Sequence, residues 1–190
     1  MPLCARCGAP TAWPVERCRE CSGRRLAFAT ARAAVAYDRG ARSLVSAWKE
    51  RGIRVLAAAA ADVVSESVPF PAVECLAFVP PDRERLLHRG HNPARELALE
   101  LGRRWSLPVQ DALVRGRRAE RQRGLSRVER RRNVAGAFRA RRAALPATVC
   151  VVDDVYTTGA TVSAAASALR KAGVRTVHVV TLARTVRLSS

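Results

Sequence analysis

The stretch "CVVDDVYTTGAT", residues 150–161, decides how this chain folds and where its chemistry lies. Apolar residues lead into two adjacent carboxylates, Asp153 and Asp154, and these lead into hydroxyl side chains around Gly159. A hydrophobic strand that runs straight into two like charges, and then into residues that suit phosphate, indicates more than a simple turn. The residues on either side show what kind of strand this is.

The residues around this stretch complete a βαβ unit. "TVCVVDD" (148–154) predicts a strand bounded by its own carboxylates, and residues 162–172 predict a helix with Gly173 as its C-cap. "VRTVHVVTLA" (174–183) predicts the next strand. Because these apolar runs do not alternate with polar residues, we expect strands that are covered on both faces, in a parallel sheet. The predicted fold class is therefore α/β.

The rest of the chain extends the same pattern. The predicted elements are a strand at 31–37, helices at 41–51 and 54–66, a buried strand at 75–79, a helix with Asn92 as N-cap and Pro93 at its first position, and a strand near 109–114. Residues 115–142 hold twelve arginines against two glutamates, a local balance of +10. We expect that segment to be a mobile loop with at most a short helix.

The loop after the acidic pair combines two kinds of binding group. In open α/β sheets, ligands bind beyond the carboxyl ends of the strands, where Asp153 and Asp154 are expected. Residues 157–161 then enter a helix N-terminus, whose free N–H groups suit a phosphate. A ribose 5-phosphate would use both groups, with a divalent metal between them. The alternative is a capped turn, in which Asp154 or Thr161 only satisfies helix N–H groups.

Other phosphate-binding patterns are absent from the sequence. It has no G-x4-G-K-[ST] and no G-x-G-x-x-G after a strand, which argues against a P-loop and a dinucleotide site. A phospho-acceptor receiver also uses paired acids, but it needs a lysine at a later strand end. Neither Lys49 nor Lys171 has that position.

Four of the six cysteines form a doubled C-x2-C pattern, namely Cys4, Cys7, Cys18 and Cys21. Four thiolates suit a tetrahedral ion, so we predict a closed, structural zinc site in a ribbon of residues 1–25 that needs the metal to fold. Gly8 permits a positive φ, which directs backbone N–H groups at sulfur. The alternative is two disulfides, which a cytoplasmic location disfavours. Cys75 and Cys150 lie in apolar segments and are expected to be buried thiols.

The charge of the chain has two interpretations. The formal net charge is +18, and only Lys49 and Lys171 are lysines. This excess predicts either a polyanionic partner or a codon bias towards alanine and arginine without selection for binding. The chain has no apolar run of about 18 residues and no signal-peptide pattern before Cys4, so we expect a soluble cytoplasmic protein without membrane contact.

Taken together, these segments resemble a known family. "VVDDVYTTGAT" looks like the phosphoribosyl-diphosphate-binding motif of type I phosphoribosyltransferases. The four-cysteine ribbon, "VPPDRERLLHRGHN", "RQRGLSRVERRRNVAGAF" and the acidic motif follow one another in the order found in the ComF/GntX-like family. The resemblance covers nearly the whole chain, and it implies a phosphoribosyltransferase-like domain at 26–190 behind the ribbon at 1–25.

The resemblance also implies roles for individual residues. Asp153 and Asp154, the catalytic pair, would hold the ribose 2- and 3-hydroxyl groups. The 5-phosphate would be bound by Thr157, Thr158, Gly159, Ala160 and Thr161. The loop at 80–83, which includes Pro81, would meet the pyrophosphate, with Arg83 and Arg89 as counter-charges. Residues 115–132 would form a flexible hood over the site.

The implied reaction is displacement of pyrophosphate at ribose C1 by a nitrogen nucleophile, with Mg²⁺ bridging the hydroxyl groups and the pyrophosphate. No general base is evident, and His88 and His91, expected in an exposed loop, are the candidates. The alternative function is a non-catalytic adaptor in natural DNA uptake, which binds DNA or a protein of the competence machinery. The basic segment and the ribbon favour the adaptor. The intact acidic loop opposes it, and residues 115–137 offer no aromatic side chain for base stacking.

Overall fold

The βαβ unit predicted around the acidic pair forms the centre of the observed sheet. The structure is a computed structural model that describes residues 1–116, 136–141 and 144–186. The strands are β1 (Thr30–Ala36), β2 (Cys75–Phe78), β3 (Val109–Gln110), β4 (Leu113–Arg115), β5 (Phe138–Ala140), β6 (Thr148–Tyr156) and β7 (Thr176–Arg184). The helices are α1 (Arg39–Arg51), α2 (Leu56–Ser67), α3 (Arg83–Arg89), α4 (Pro93–Trp105) and α5 (Ala160–Lys171).

The main sheet has five parallel strands in the order β1-β7-β6-β2-β3. Successive residues of β6 point to opposite faces, where two hydrophobic clusters lie. Val149 and Val151 join a cluster with α5, whereas Cys150 and Val152 join a cluster with α2 and α4. The absence of alternation in this strand therefore reflects burial on both faces, and the prediction of an α/β fold with a parallel sheet is confirmed.

The helix that follows β2 begins as its sequence predicts. The Asn92 side chain accepts a hydrogen bond from the backbone N–H of Ala94 at 3.1 Å, and Pro93 is the first helical residue. The Asn92 amide also donates to the carbonyl oxygen of Val79 at 3.2 Å. This second bond ties the start of α4 to the end of β2, so both elements converge on one edge of the sheet.

The structure differs from the sequence analysis in three local features. The single strand expected near 109–114 is two short strands, because β3 joins the main sheet and β4 pairs with β5 in a separate antiparallel ribbon. β5 lies inside the segment that was expected to be a loop. Helix α3 was not predicted at all, because its two leucines are adjacent and exposed and give no helical period. Most of the predicted hood at 115–132 lies outside the described residues.

The cysteine ribbon shares its core with the α/β part of the chain. Cys4, Cys7 and Cys21 are buried in the same hydrophobic cluster as residues of β6 and α5. Gly8 has a φ of +69°, and a Cβ atom there would lie 2.4 Å from the carbonyl oxygen of Ala31 in β1. The close approach of the ribbon to the edge strand therefore needs glycine at this position. Among the described helices, none is long and apolar enough to span a membrane.

Candidate functional site

A pocket of about 220 Å³ lies at the carboxyl ends of β2 and β6. The predicted residues that line it are Pro81, Arg89, Asp153, Asp154, Thr157 and Thr161. Further lining residues include Lys49, Arg85, His91, Asn92 and Arg115. The structure thus brings the acidic pair, both ends of the threonine loop and part of the proline–arginine segment around one space.

The two carboxylates occupy different electrostatic environments. Burial, followed by the neighbouring charge of Asp154, raises the pKa of Asp153 to about 7. One oxygen of Asp153 also accepts a hydrogen bond from the backbone N–H of Asp154 at 2.9 Å. Asp154 instead forms a 2.7 Å ion pair with the Nζ atom of Lys49, which reaches the site from α1. The lysine compensates one of the two like charges, while the other carboxyl group exchanges its proton near neutral pH.

The threonine loop is a tight turn between β6 and α5. Gly159 is the N-cap of α5 and has a φ of +70°, and a Cβ atom there would lie 2.3 Å from the Tyr156 hydroxyl oxygen. The hydroxyl oxygen of Thr158 accepts a hydrogen bond from the N–H of Ala160 at 3.3 Å. Thr157 and Thr161 line the pocket, whereas the three residues between them build the turn.

Neither of the two caps considered in the sequence analysis, Asp154 or Thr161, occupies the N-cap position of α5. The N-cap residue of α5 is Gly159, and no side chain caps the helix from that position. Asp154, one of the two proposed caps, is paired with Lys49. Thr161 lies inside the first turn, where it lines the pocket. Among the described contacts, only the Thr158 hydroxyl bonds an N–H group of the first turn, that of Ala160, so the N-terminus of α5 beside the pocket keeps N–H groups that suit an anion.

The opposite wall of the pocket includes residues of α3. Asp82 caps this helix by accepting a hydrogen bond from the N–H of Arg85 at 2.8 Å. Arg85 and Arg89 line the pocket, and Arg89 forms a 2.5 Å ion pair with Glu50. Arg83 is exposed and is not one of the lining residues. The helical turn thus brings residues 85 and 89 to the site and carries residue 83 away from it.

The expectation that both histidines lie in an exposed loop is wrong for His91. His91 is buried, and its Nδ1 atom lies 3.1 Å from a carboxylate oxygen of Glu96. The same oxygen of Glu96 accepts a hydrogen bond from the indole N–H of Trp48 at 2.9 Å. His88 is exposed on α3 and does not line the pocket. Glu96 in the first turn of α4 therefore connects the buried His91 to Trp48 of α1.

The four ribbon cysteines form a cluster that can hold a metal ion. Their sulfur atoms all lie within 4.8 Å of one another, and three pairs are separated by 3.7 Å (Cys4–Cys21), 3.5 Å (Cys7–Cys18) and 3.9 Å (Cys18–Cys21). A tetrahedral site with metal–sulfur bonds of about 2.3 Å has sulfur–sulfur edges of about 3.8 Å. All six cysteines of the chain are free, so the disulfide alternative is not realised. The donor set fits a tetrahedral metal.

Sequence reasoning missed two side chains that line the pocket and one that packs behind it. Lys49 was considered only as the lysine of a phospho-acceptor receiver. It is one of two lysines in an arginine-rich chain, and this rarity could have marked it as a candidate site residue. Arg85 was missed because α3 was not recognised. Tyr156 lies beyond the predicted strand at 148–154 and was given no role, and its contact with Gly159 follows only from three-dimensional packing.

Comparison with known proteins gives a consistent result. Residues 85–187 match the model of the phosphoribosyl transferase domain. Competence protein F of Haemophilus influenzae is 37% identical over 115 residues, which cover 58% of this chain and 50% of that protein. DNA utilization protein YhgH of Salmonella typhi is 30% identical over 195 residues, which cover 97% of this chain and 85% of that protein. No solved structure gives a significant match.

The extent of these matches differs between the relatives. DNA utilization protein YhgH of Escherichia coli O157:H7 is 37% identical over 112 residues, which cover 57% of this chain and 48% of that protein. This chain therefore aligns with about half the length of the Haemophilus and Escherichia proteins, and with most of the Salmonella protein.

Proposed function

Because this chain belongs to the ComF-like family of phosphoribosyl transferase domain proteins, we propose that its pocket binds phosphoribosyl diphosphate together with Mg²⁺. The observation that carries the proposal is the acidic pair beside the glycine-started N-terminus of α5 at one end of the pocket. Hydroxyl groups and a phosphate on one small ligand match these two features in chemistry and in order along the chain.

The proposed pose assigns each part of the ligand to one wall. Asp153 and Asp154 accept hydrogen bonds from the ribose hydroxyl groups, and residues 157–161 receive the 5-phosphate. The pyrophosphate lies against Pro81, Arg85 and Arg89, with Arg83 further out on the same helix. Carboxylate and phosphate oxygens are the ligands that Mg²⁺ prefers, and the bound ion would neutralise charge on the leaving pyrophosphate.

The proposed chemistry is transfer of the phosphoribosyl group to a nitrogen acceptor. The carbon–oxygen bond between ribose C1 and pyrophosphate breaks, and a bond from C1 to the acceptor nitrogen forms. The two carboxylates would orient the ribose and stabilise positive charge on it, while the arginines would stabilise the leaving group. The ribbon cysteines are proposed to hold one structural Zn²⁺, since four thiolates without an open position suit a closed site.

Titration calorimetry with phosphoribosyl diphosphate and Mg²⁺ tests the proposal. The parent protein is expected to bind, and the double change Asp153→Asn with Asp154→Asn is expected to weaken binding at least tenfold. Hydrogen bonds to charged groups contribute about 1.5–3 kcal/mol each, and about 1.4 kcal/mol corresponds to one decade. Asp62→Asn is the matched control, because Asp62 pairs with Arg104 away from the pocket. Equal affinity of the double variant and the parent would reject the proposed site.

A second candidate function is an adaptor that binds nucleic acid. It is favoured by the names of the relatives, which refer to competence and DNA utilization, and by the net charge of +18. If about five phosphates are neutralised, log K plotted against log salt should have a slope near −4. Replacing Arg130, Arg131 and Arg132 by Ser, within the basic segment, should reduce that slope. A flat salt dependence would leave codon bias as the explanation of the charge.

A further inference from the structure

A buried arginine at the end of β7 connects the cysteine ribbon to the strand that carries the acidic pair. Arg184 is only 4% exposed. Its Nη1 atom donates to the carbonyl oxygen of Cys7 at 2.5 Å, and its Nη2 atom pairs with Glu20 at 3.0 Å. Its guanidinium group lies over the Tyr156 ring, 5.0 Å from the centroid. One side chain thus contacts a cysteine knuckle, the ribbon's second half and the last residue of β6.

Tyr156 connects Arg184 to the 157–161 loop. The ring is buried, Phe28 packs edge-on against it with a centroid distance of 6.4 Å, and its hydroxyl group lies directly beneath Gly159. The loop therefore packs on an aromatic ring that also contacts Phe28, which follows the ribbon, and Arg184. A shift of the ring would displace the helix N-cap that faces the pocket.

A second arginine joins the ribbon to the loop directly. The Nη2 atom of Arg24 donates to the carbonyl oxygen of Thr158 at 2.7 Å, across 134 residues of sequence. The backbone N–H of Ala27 donates to the Ser163 hydroxyl oxygen at 3.2 Å, one turn into α5. The ribbon and the segment that leaves it therefore hold both the tip of the loop and the helix behind it.

We propose that the cysteine ribbon acts as a positioning element for the 157–161 loop, through Arg184 and Arg24, so that affinity for a 5-phosphate depends on the folded ribbon. The part of this inference that concerns a ligand rests on the proposed function. The loop also has supports from β7, because Thr185 donates to the carbonyl oxygens of Tyr156 at 2.9 Å and Thr157 at 3.1 Å. These bonds hold the strand end, whereas only the ribbon reaches the carbonyl group of Thr158 among the contacts described.

The test compares three probes in the presence of Mg²⁺, namely phosphoribosyl diphosphate, ribose 5-phosphate and inorganic pyrophosphate. Arg24→Ala is expected to weaken binding of the two probes with a 5-phosphate about threefold to tenfold, and Arg184→Lys at least as much. Pyrophosphate should bind as it does to the parent, because its wall of the pocket does not touch the ribbon. Arg25→Ala is the matched control, since this exposed neighbour carries the same charge and should change nothing.

A second measurement keeps the inference independent of the ligand. Amide hydrogen exchange of the ligand-free protein should become faster at residues 157–163 in Arg24→Ala, and after removal of metal by a chelator, while residues 75–78 stay protected. If the parent binds none of the three probes, the proposed function fails. The exchange data still test whether the ribbon positions the 157–161 loop. Unchanged exchange at 157–163 would overturn the inference. An equal loss of affinity for all three probes would also overturn the inference, because such a loss would indicate general destabilisation of the protein.

Discussion

The two walls of the pocket are built in opposite ways. The wall that follows β6 is packed from behind, since Val149, Val151 and Tyr156 are buried and the cysteine ribbon lies beneath them. The wall that follows β2 includes α3, which contributes Arg85 and Arg89, has no buried residue and leaves Leu87 76% exposed. We infer that the first wall is preformed, whereas the second gains order mainly from its contacts with a ligand.

Two glycines display this difference at the same backbone conformation. Gly159 and Gly90 both have a φ of +70°. A Cβ atom at Gly159 would collide with Tyr156, whereas one at Gly90 would meet nothing within 4 Å. Both positions favour glycine because of their positive φ. Only the position on the packed wall also lacks room for a Cβ atom. Affinity for the sugar phosphate should therefore be sensitive to packing, and affinity for the pyrophosphate to exposed charge.

The largest expected effect is a loss of stability when the proposed metal is removed from behind the packed wall. Purified protein is expected to contain one zinc per chain, and Cys18→Ser should lose it and destabilise the fold by about 4 kcal/mol or more. Metal analysis and urea unfolding measure the two effects. Cys75→Ala is the control, because this buried thiol lies outside the cluster and its loss should leave the metal content unchanged. A metal-free, well-folded ribbon would contradict the prediction.

Alanine substitutions at the two glycines compare the packing of the two walls directly. Gly90→Ala should cost about 1–2 kcal/mol, the usual price of a Cβ atom in the left-handed region. Gly159→Ala should cost about 1–3 kcal/mol more, because the Tyr156 ring has to move. It should also weaken phosphoribosyl diphosphate binding more than Gly90→Ala does. Equal effects of the two changes on stability and binding would mean that the two walls do not differ in packing.

The pH dependence of stability tests the packed wall through Asp153. Its pKa is raised from 3.8 to about 7, so the folded protein holds this proton more tightly than the unfolded chain does. The stabilisation from this group is complete below about pH 4 and is lost as the pH rises through 7. Asp153→Asn should therefore unfold at higher urea concentrations than the parent at pH 8, and this advantage should shrink towards pH 4.

Ligand binding should depend on pH in the opposite direction. A carboxylate accepts hydrogen bonds better than a carboxylic acid does, so parent affinity for phosphoribosyl diphosphate should rise from pH 6 to pH 8. Asp153→Asn should flatten that part of the profile, and comparing the two proteins cancels the titration of the ligand itself. A parent and variant with parallel profiles would show that Asp153 does not titrate in this range.

The smallest effect is expected on the exposed wall. Arg85→Ser should weaken pyrophosphate binding about threefold to fivefold, because Arg85 lines the pocket and exposed charge pairs contribute at most about 1 kcal/mol. Arg83→Ser removes the same charge from the same helix, but from a position outside the lining, and should change affinity less. Calorimetry with pyrophosphate and Mg²⁺ distinguishes the two. A larger loss at Arg83 would reverse our assignment of the helix faces.

Much of the sheet, of helix α4 and of the packed wall could be predicted from sequence, because their signals are local. Apolar runs without alternation, the Asn92–Pro93 pair and the glycine before α5 each specify an element within a few residues. The acidic pair and the threonine loop were placed correctly relative to one another for the same reason. The doubled C-x2-C pattern likewise predicted the cysteine cluster that the structure contains.

The remaining features depend on contacts between distant segments. α3 buries nothing, so it leaves no periodic pattern to recognise. The ion pair of Lys49 with Asp154 spans more than one hundred residues, and no local rule connects them. The burial of His91 accompanies a contact between distant segments, since Glu96 of α4 meets both the imidazole and Trp48 of α1. In each case the information lies in tertiary packing rather than in a motif.

The parallel pairing of β1 with β7 has a consequence for how the chain is made. Thr30 lies opposite His178, and among the described strands β1, the first to be synthesised, pairs with β7 alone, the last of them. Such distant pairing is slow to form, because a long loop must close before any contact rewards it. On a ribosome the ribbon emerges early, yet its anchor at Arg184 emerges about 180 residues later. A chain that stops before β7 would leave the ribbon and β1 without the surface on which they rest.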